Sequence, residues 1–323
     1  MRYRTLPRTD VTVSEVGFGV WTLARGPEGA GDRREAVELL RTARDLGITL
    51  FVADDDDGRG ETLLAEAFAG SRDGLVYATA IGGERRRAGG REDRPHGWSP
   101  ELVRRACEES LRRLRTDRID VCLLRRPDRE AIDSDALFGT LEDLVSEGAL
   151  RSYGIALGAR GGGREEAARA MRNRGVATVQ AVHSILEQQP VRDLVAEARQ
   201  DDVGFLVRSP HHSGMLEGKY TPETRFPSQD ERARRPSSWL TEGLQKIATL
   251  AFLTEDRPYT LGQAALKWLL AEPLVMSALP SAFGREQLAE FAAAPDLPDL
   301  TDEDLRRVDA LYAAGFGLAP TAP

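Results

Sequence analysis

Eight short apolar runs, each followed by an amphipathic helical pattern, predict an α/β fold for this 323-residue chain: a (β/α)8 TIM barrel with an N-terminal hairpin and a C-terminal extra helix. Two further observations support it. The runs are continuously apolar rather than alternating, as strands of a parallel sheet covered on both faces require. The composition, 41% hydrophobic and 30% charged with only 6% aromatic, describes a chain with one large aliphatic interior.

Taken in order, residues 2–7 and 11–16, split by Arg8-Thr9-Asp10, read as a hairpin that plugs the N-terminal mouth. The first barrel strand is Val16-Gly-Phe-Gly-Val-Trp-Thr22, where Gly17 and Gly19 mark close backbone approach. A helical pattern at 33–46 follows. Strands at 48–52, 75–80, 118–124, 151–157, 178–182, 203–207 and 274–279 then alternate with helices at 60–69, 99–114, 135–147, 163–174, 190–200, 259–271 and 285–293. Right-handed crossovers place those helices outside the sheet. Thr301, with acids behind it and an apolar stripe from Leu305, predicts the extra helix. Residues 1–315 are expected to form one domain and 316–323 a tail. Two insertions, 82–98 and 211–241, break the rhythm on the loop side where barrels keep their chemistry, which makes both candidate lids.

The net charge of −8 argues against nucleic acid as a partner, because phosphate contacts need a basic face. No run of 18 uncharged residues and no leader-like apolar core is present, so no membrane association and a cytoplasmic location are expected. The expected partner is a small-molecule substrate; no signal for an oligomeric state was found. Cys107 and Cys122 read as reduced core residues. His96, His183, His211 and His212 lack zinc-ligand spacing, so no metal is expected.

Several phrases carry a resemblance: Tyr3-Arg-Thr-Leu6, Val16-Gly-Phe-Gly-Val-Trp-Thr22, Ser110-Leu-Arg-Arg-Leu-Arg-Thr-Asp-Arg-Ile-Asp120, Gly214-Met-Leu-Glu-Gly-Lys-Tyr220 and Gln263-Ala-Ala-Leu-Lys-Trp-Leu-Leu-Ala271. Over essentially its full length the chain resembles the aldo-keto reductases. The resemblance implies a barrel enzyme in which an Asp, Tyr, Lys and His tetrad protonates a carbonyl as hydride arrives from NADPH. At the matching positions this chain carries Val52, Asp57, Ala80 and Arg125, so all four residues differ. The groups that would hold the nicotinamide carboxamide become Ala156, Leu157 and an unchanged Gln180. Arg208 stands where a ring stacks on the nicotinamide, and Phe283 where an arginine pairs the 2′-phosphate.

The loop side is nonetheless rich in other charged groups. Asp54 to Asp57 follow the second strand, Arg125 the fourth, His183 and Glu187 the sixth, and Arg208, His211 and His212 the seventh. Such a set suits proton transfer, with His183 as general base or acid, Asp57 opposite it, and Arg125 and Arg208 holding a carboxylate or enolate. Asp55 completes the candidate set, although it matches a residue ordinary in the family. The first expectation is therefore a lyase, dehydratase, cyclase or isomerase step on a small, anionic metabolite with no cofactor. The alternatives are an NADP-dependent oxidoreductase with an unorthodox proton donor and a noncatalytic binding protein.

Overall fold

The structure, a computed structural model, describes residues 1–24, 33–54, 58–82, 86–87, 90–91, 98–158, 163–228, 230–236 and 238–318. Strands β1 (Tyr3–Thr5) and β2 (Thr12–Ser14) form the antiparallel N-terminal hairpin, with Tyr3 opposite Ser14. Its apolar residues Leu6, Val11 and Val13 are buried together with Leu50, Val52, Val121, Leu123 and Leu206 from the barrel strands. The hairpin thus seals one end of the barrel interior.

Strands β3 (Phe18–Gly19), β4 (Leu50–Asp54) and β5 (Val76–Ile81) begin the parallel sheet. A minimal hairpin, β6 (Arg86–Arg87) with β7 (Gly90–Arg91), is all that is described of the first insertion's interior. The sheet continues with β8 (Val121–Arg125), β9 (Tyr153–Ala156), β10 (Thr178–Val182), β11 (Gly204–Arg208) and β12 (Val275–Leu279). Neighbours follow chain order from β3 to β12 apart from the small hairpin. A parallel bridge from Val16 to Ala278 closes the ring, with the Gly17 N–H donating to the Ala278 carbonyl at 2.9 Å. Closure depends on Gly17, since a Cβ there would lie 2.7 Å from Leu279 Cδ2 and 2.9 Å from Ser277 Oγ.

The helices are α1 (Trp21–Ala24), α2 (Arg33–Asp45), α3 (Arg59–Ala67), α4 (Pro100–Leu114), α5 (Arg129–Asp133) and α6 (Asp135–Ser146). They continue as α7 (Arg164–Asn173), α8 (Val191–Gln200), α9 (Ser238–Ala248), α10 (Leu261–Leu270), α11 (Arg285–Ala293) and α12 (Asp302–Ala313). Their starts follow local chemistry. The Ser99 hydroxyl accepts from the Leu102 N–H with Pro100 at the first helical position, and Thr260 and Thr301 both build capping boxes. The outer strand faces, including Phe51, Ile155, Val179, Ala181 and Phe205, pack against the inward faces of these helices in a second, larger core.

Four strands run past their expected ends, β5 by one residue to Ile81. β4 reaches Asp54, β8 reaches Arg125 and β11 reaches Arg208, because main-chain pairing continues through Asp54 with Ala80, Arg125 with Ala156 and Arg208 with Leu279. Main-chain hydrogen bonds are indifferent to side-chain polarity. Helix α9 was not expected either. It starts inside the second insertion, whose Tyr220, Phe226 and Trp239 rings contact one another at 5.3 and 6.1 Å, so this segment has a small core of its own. At the C-terminal end, Phe316 is buried edge-on against Tyr312, and ordered packing extends beyond residue 315.

Candidate active site

Residues Arg125, Ala156, Gln180, Leu206 and Ser277 stand opposite one another in register across β8 to β12. Leu206 and Ala156 belong to the barrel interior, and strand alternation therefore puts Arg125 and Gln180 on the same inner face. Arg208, paired with Val182 and Leu279, is two residues further along β11 and shares that face. Arg125 Nη2 donates to the Ala80 carbonyl at 3.2 Å, and Arg208 Nη2 to the Leu157 carbonyl at 2.7 Å. Both guanidiniums are only partly buried. Trp21 packs on the interior cluster, and its indole occupies the space a Cβ at Gly19 would need.

Part of the backbone strain lies at the same end. Directly after the two arginines, Arg126 and Ser209 have φ of 48° and 56°, and His212 and Ser213 have φ of 47° and 59°. A non-glycine residue held in the left-handed region costs about 1–3 kcal/mol and gathers at functional sites. On strands of this ring, the buried Gln180 Nε2 and Ser277 Oγ have no hydrogen-bond partner among the described residues.

His183 is placed elsewhere. Its ring lies 5.1 Å from that of Trp268 on α10, and Val179 and Ala181, with which it alternates in step, belong to the outer core. The expected meeting of His183 with Arg125 over one ligand is therefore not what the fold builds; Arg125 and Arg208 share the interior face, and His183 faces the helices. Asp55 and Asp57 lie outside the described residues. His211 is also buried, stacked 4.4 Å from Phe291 with Nε2 3.1 Å from the Gly262 carbonyl, while His212 Nδ1 lies 3.4 Å from Glu187.

Burial pushes both His183 and His211 down from 6.5 to about 4. The folded protein binds fewer protons than the unfolded chain between these values, so stability is full above pH 6.5 and falls as pH drops toward 4. At pH 5 the loss amounts to about 2 kcal/mol per imidazole. Urea midpoints measured from pH 7.5 to 4.5 should fall accordingly, and less steeply for His211→Gln; an unchanged slope in that variant would mean that His211 is not buried in its neutral form.

The family model described as the aldo/keto reductase family matches residues 15–313. The chain belongs to the aldo/keto reductase family. This aldo/keto reductase is 30% identical to an uncharacterized oxidoreductase of Mycobacterium tuberculosis over 88% of its own length and 85% of the relative's. It is 27% identical to the NADH-specific methylglyoxal reductase of Escherichia coli, covering 94% and 96% of the two chains. Its structure is similar to that of an aldo-keto reductase from Bacillus halodurans in the holo form, with 26% identity, 96% coverage of each chain and a TM-score of 0.77.

Membership in this aldo/keto reductase family, with a near-full-length relative that is an NADH-specific reductase by name, overturns the expectation that no cofactor is used. The physical reason lies in what the sequence argument counted. Lost side-chain donors at Ala156 and Leu157 do not measure the binding of a large ligand held at many points, main-chain groups included. The arginine missing at Phe283 bears only on a 2′-phosphate, which NADH lacks. The inner face itself fits a nicotinamide: Gln180 Nε2 is a buried donor with no acceptor among the described residues, and a carboxamide oxygen is one. Nothing in the sequence marks Trp21 as packing on the interior cluster; only the filled space at Gly19 reveals its place.

Proposed function

We propose that the protein is a nicotinamide-dependent oxidoreductase acting on a small carbonyl or alcohol at the inner face of the barrel, with a proton donor other than the family's tyrosine. The observation that carries this reading is Gln180, whose amide is 1% exposed and whose Nε2 has no partner among the described residues. A buried donor left without an acceptor costs about 1–3 kcal/mol, which a carboxamide oxygen would relieve. Gln180 would hold the nicotinamide end, and the loops after the seventh and eighth barrel strands would meet the phosphates, since barrels of this class bind phosphate there. A bound nicotinamide supplies or accepts the hydride.

The chain's own contribution centres on Arg125. The resemblance puts a lysine at position 80 and a histidine at position 125; here Ala80 and Arg125 keep one cation between them, and Arg125 Nη2 reaches the main chain of Ala80. A guanidinium stays protonated, so Arg125 stabilises the developing alkoxide by charge and hydrogen bonds without giving up a proton. The proton then comes from another group that is still protonated at the working pH. Trp21 walls the site, and Arg208 suits a substrate bearing a carboxylate.

The test is dinucleotide oxidation at 340 nm with NADH and NADPH against a panel of aldehydes, 2-oxoaldehydes and 2-oxo acids, run beside calorimetric binding of each dinucleotide. Turnover of at least one carbonyl is expected. The reading fails if neither dinucleotide binds.

A further inference from the structure

At the end of the barrel that holds the N-terminal hairpin, away from Arg125 and Arg208, lies an open cleft of about 570 Å3, a size that takes small molecules. It is lined by Asp10 of the hairpin turn, Arg118 between α4 and β8, Val145 and Gly148 at the end of α6, and Leu150 and Arg151 ahead of β9. The charges there form one network. Asp120 is already engaged: Oδ2 accepts from Arg72 and from the Tyr77 N–H, and Oδ1 accepts from Arg151. Arg151 Nη2 also meets Asp10 Oδ1 at 3.0 Å. Arg118 differs from both its neighbours. Its Nε lies 3.6 Å from Asp120 Oδ1, beyond hydrogen-bond distance, and its side-chain N–H groups meet no acceptor among the described residues. The network thus sets three guanidiniums, of Arg72, Arg118 and Arg151, against the two carboxylates of Asp10 and Asp120, in a chain whose net charge is −8. Glu147, beside Gly148, is held by Arg104 at 2.7 and 3.0 Å.

We propose that this cleft is a second binding site, for a small monocarboxylate with an apolar body of a few carbons. The planar fork of Arg118 presents paired N–H donors, which match the two oxygens of a carboxylate. One excess positive charge suits a monoanion, whereas a dianion meets the repulsion of Asp10 and Asp120 with no second cation to offset it. Val145 and Leu150 supply apolar lining for the body of the ligand. The proposal stands apart from the oxidoreductase reading, because no residue of the cleft belongs to the inner face that carries Arg125, Gln180 and Arg208.

Calorimetry and thermal unfolding of the full chain with acetate, butyrate and hexanoate test the proposal, with 1-hexanol, inorganic phosphate and sodium chloride at matched ionic strength as comparisons. Hexanoate should bind and raise the unfolding midpoint, since a ligand held only by the folded state stabilises it. Affinity should rise about two- to fourfold for each added CH2 until the cleft is filled. Hexanol and phosphate should each bind at least tenfold more weakly than hexanoate. Arg118→Gln, at an exposed position outside the core, should weaken hexanoate at least tenfold, and Arg118→Lys should recover part of that loss. Replacing Arg125 and Arg208 together by alanine should leave hexanoate affinity within twofold of the parent. Circular dichroism confirms that each variant is folded. The proposal is overturned if hexanoate does not bind at about 10 mM, a very weak interaction by any measure, if phosphate or hexanol matches it, or if Arg118→Gln keeps the parent's affinity. Loss of binding in the Arg125 and Arg208 double variant alone also overturns it, by placing the carboxylate at the other end of the barrel.

Discussion

Arg125→Ala is expected to lower the turnover number on a reducible carbonyl by about 10²–10³-fold, the loss seen when one preorganised oxyanion donor is removed. Dinucleotide affinity should stay within threefold of the parent, because Gln180 and the loops after β11 and β12 lie on other strands. Folding should be unaffected, since the side chain is only partly buried at the strand end. Arg125→Lys restores the charge without the planar fork and should recover part of the loss. Steady-state kinetics separate the two roles open to this arginine. A drop in kcat with little change in KM marks stabilisation of the developing alkoxide; a rise in KM at constant kcat would make Arg125 a clamp for a substrate carboxylate. Turnover and KM both within a few-fold of the parent would remove Arg125 from the site.

The second large effect is on stability. Asp120→Ala should destabilise the fold by about 3–5 kcal/mol, the range for removing one partner from a buried ion pair. Asp120 is fully buried, accepts from Arg72 Nη2 at 2.6 Å, from Arg151 Nη1 at 3.2 Å and from the Tyr77 N–H at 2.8 Å, and so ties β5 to the segments that lead into β8 and β9, at the end of the barrel away from the arginine pair. Its loss leaves Arg72, itself stacked 4.7 Å over the Tyr77 ring, with an uncompensated charge and strands the Tyr77 amide. The same burial pushes the Tyr77 phenol up to about 12. Urea denaturation at pH 7 measures the change, and a shift below about 1 kcal/mol would mean that the arginines find water instead.

Asp120 closes one of the phrases on which the family resemblance rests, yet its work is structural. Much of what the residues announce is of this kind. The alternation of apolar runs and amphipathic helices was legible because each element repeats its own period, and Ser99, Thr260 and Thr301 marked helix starts by local chemistry that needs no partner. Strand ends were less legible. Hydropathy stops at Val52, Leu124 and Val207, whereas pairing carries the strands on to Asp54, Arg125 and Arg208. Helix α9 was missed because its pattern begins inside a segment read as an insertion.

The sequence by itself determined the eightfold α/β barrel, the plugging hairpin, the terminal helix and the replacement of every tetrad residue. Only the tertiary structure decided which charged residues share a face. Strands of a buried parallel sheet are apolar on both sides, so their sequences contain no period-two signal to say which residues point inward. His183 and Gln180 are three residues apart on and just past one strand. Closure of the ring through Val16 and Ala278 turns Gln180 toward the interior with Arg125, and leaves His183 against Trp268 outside.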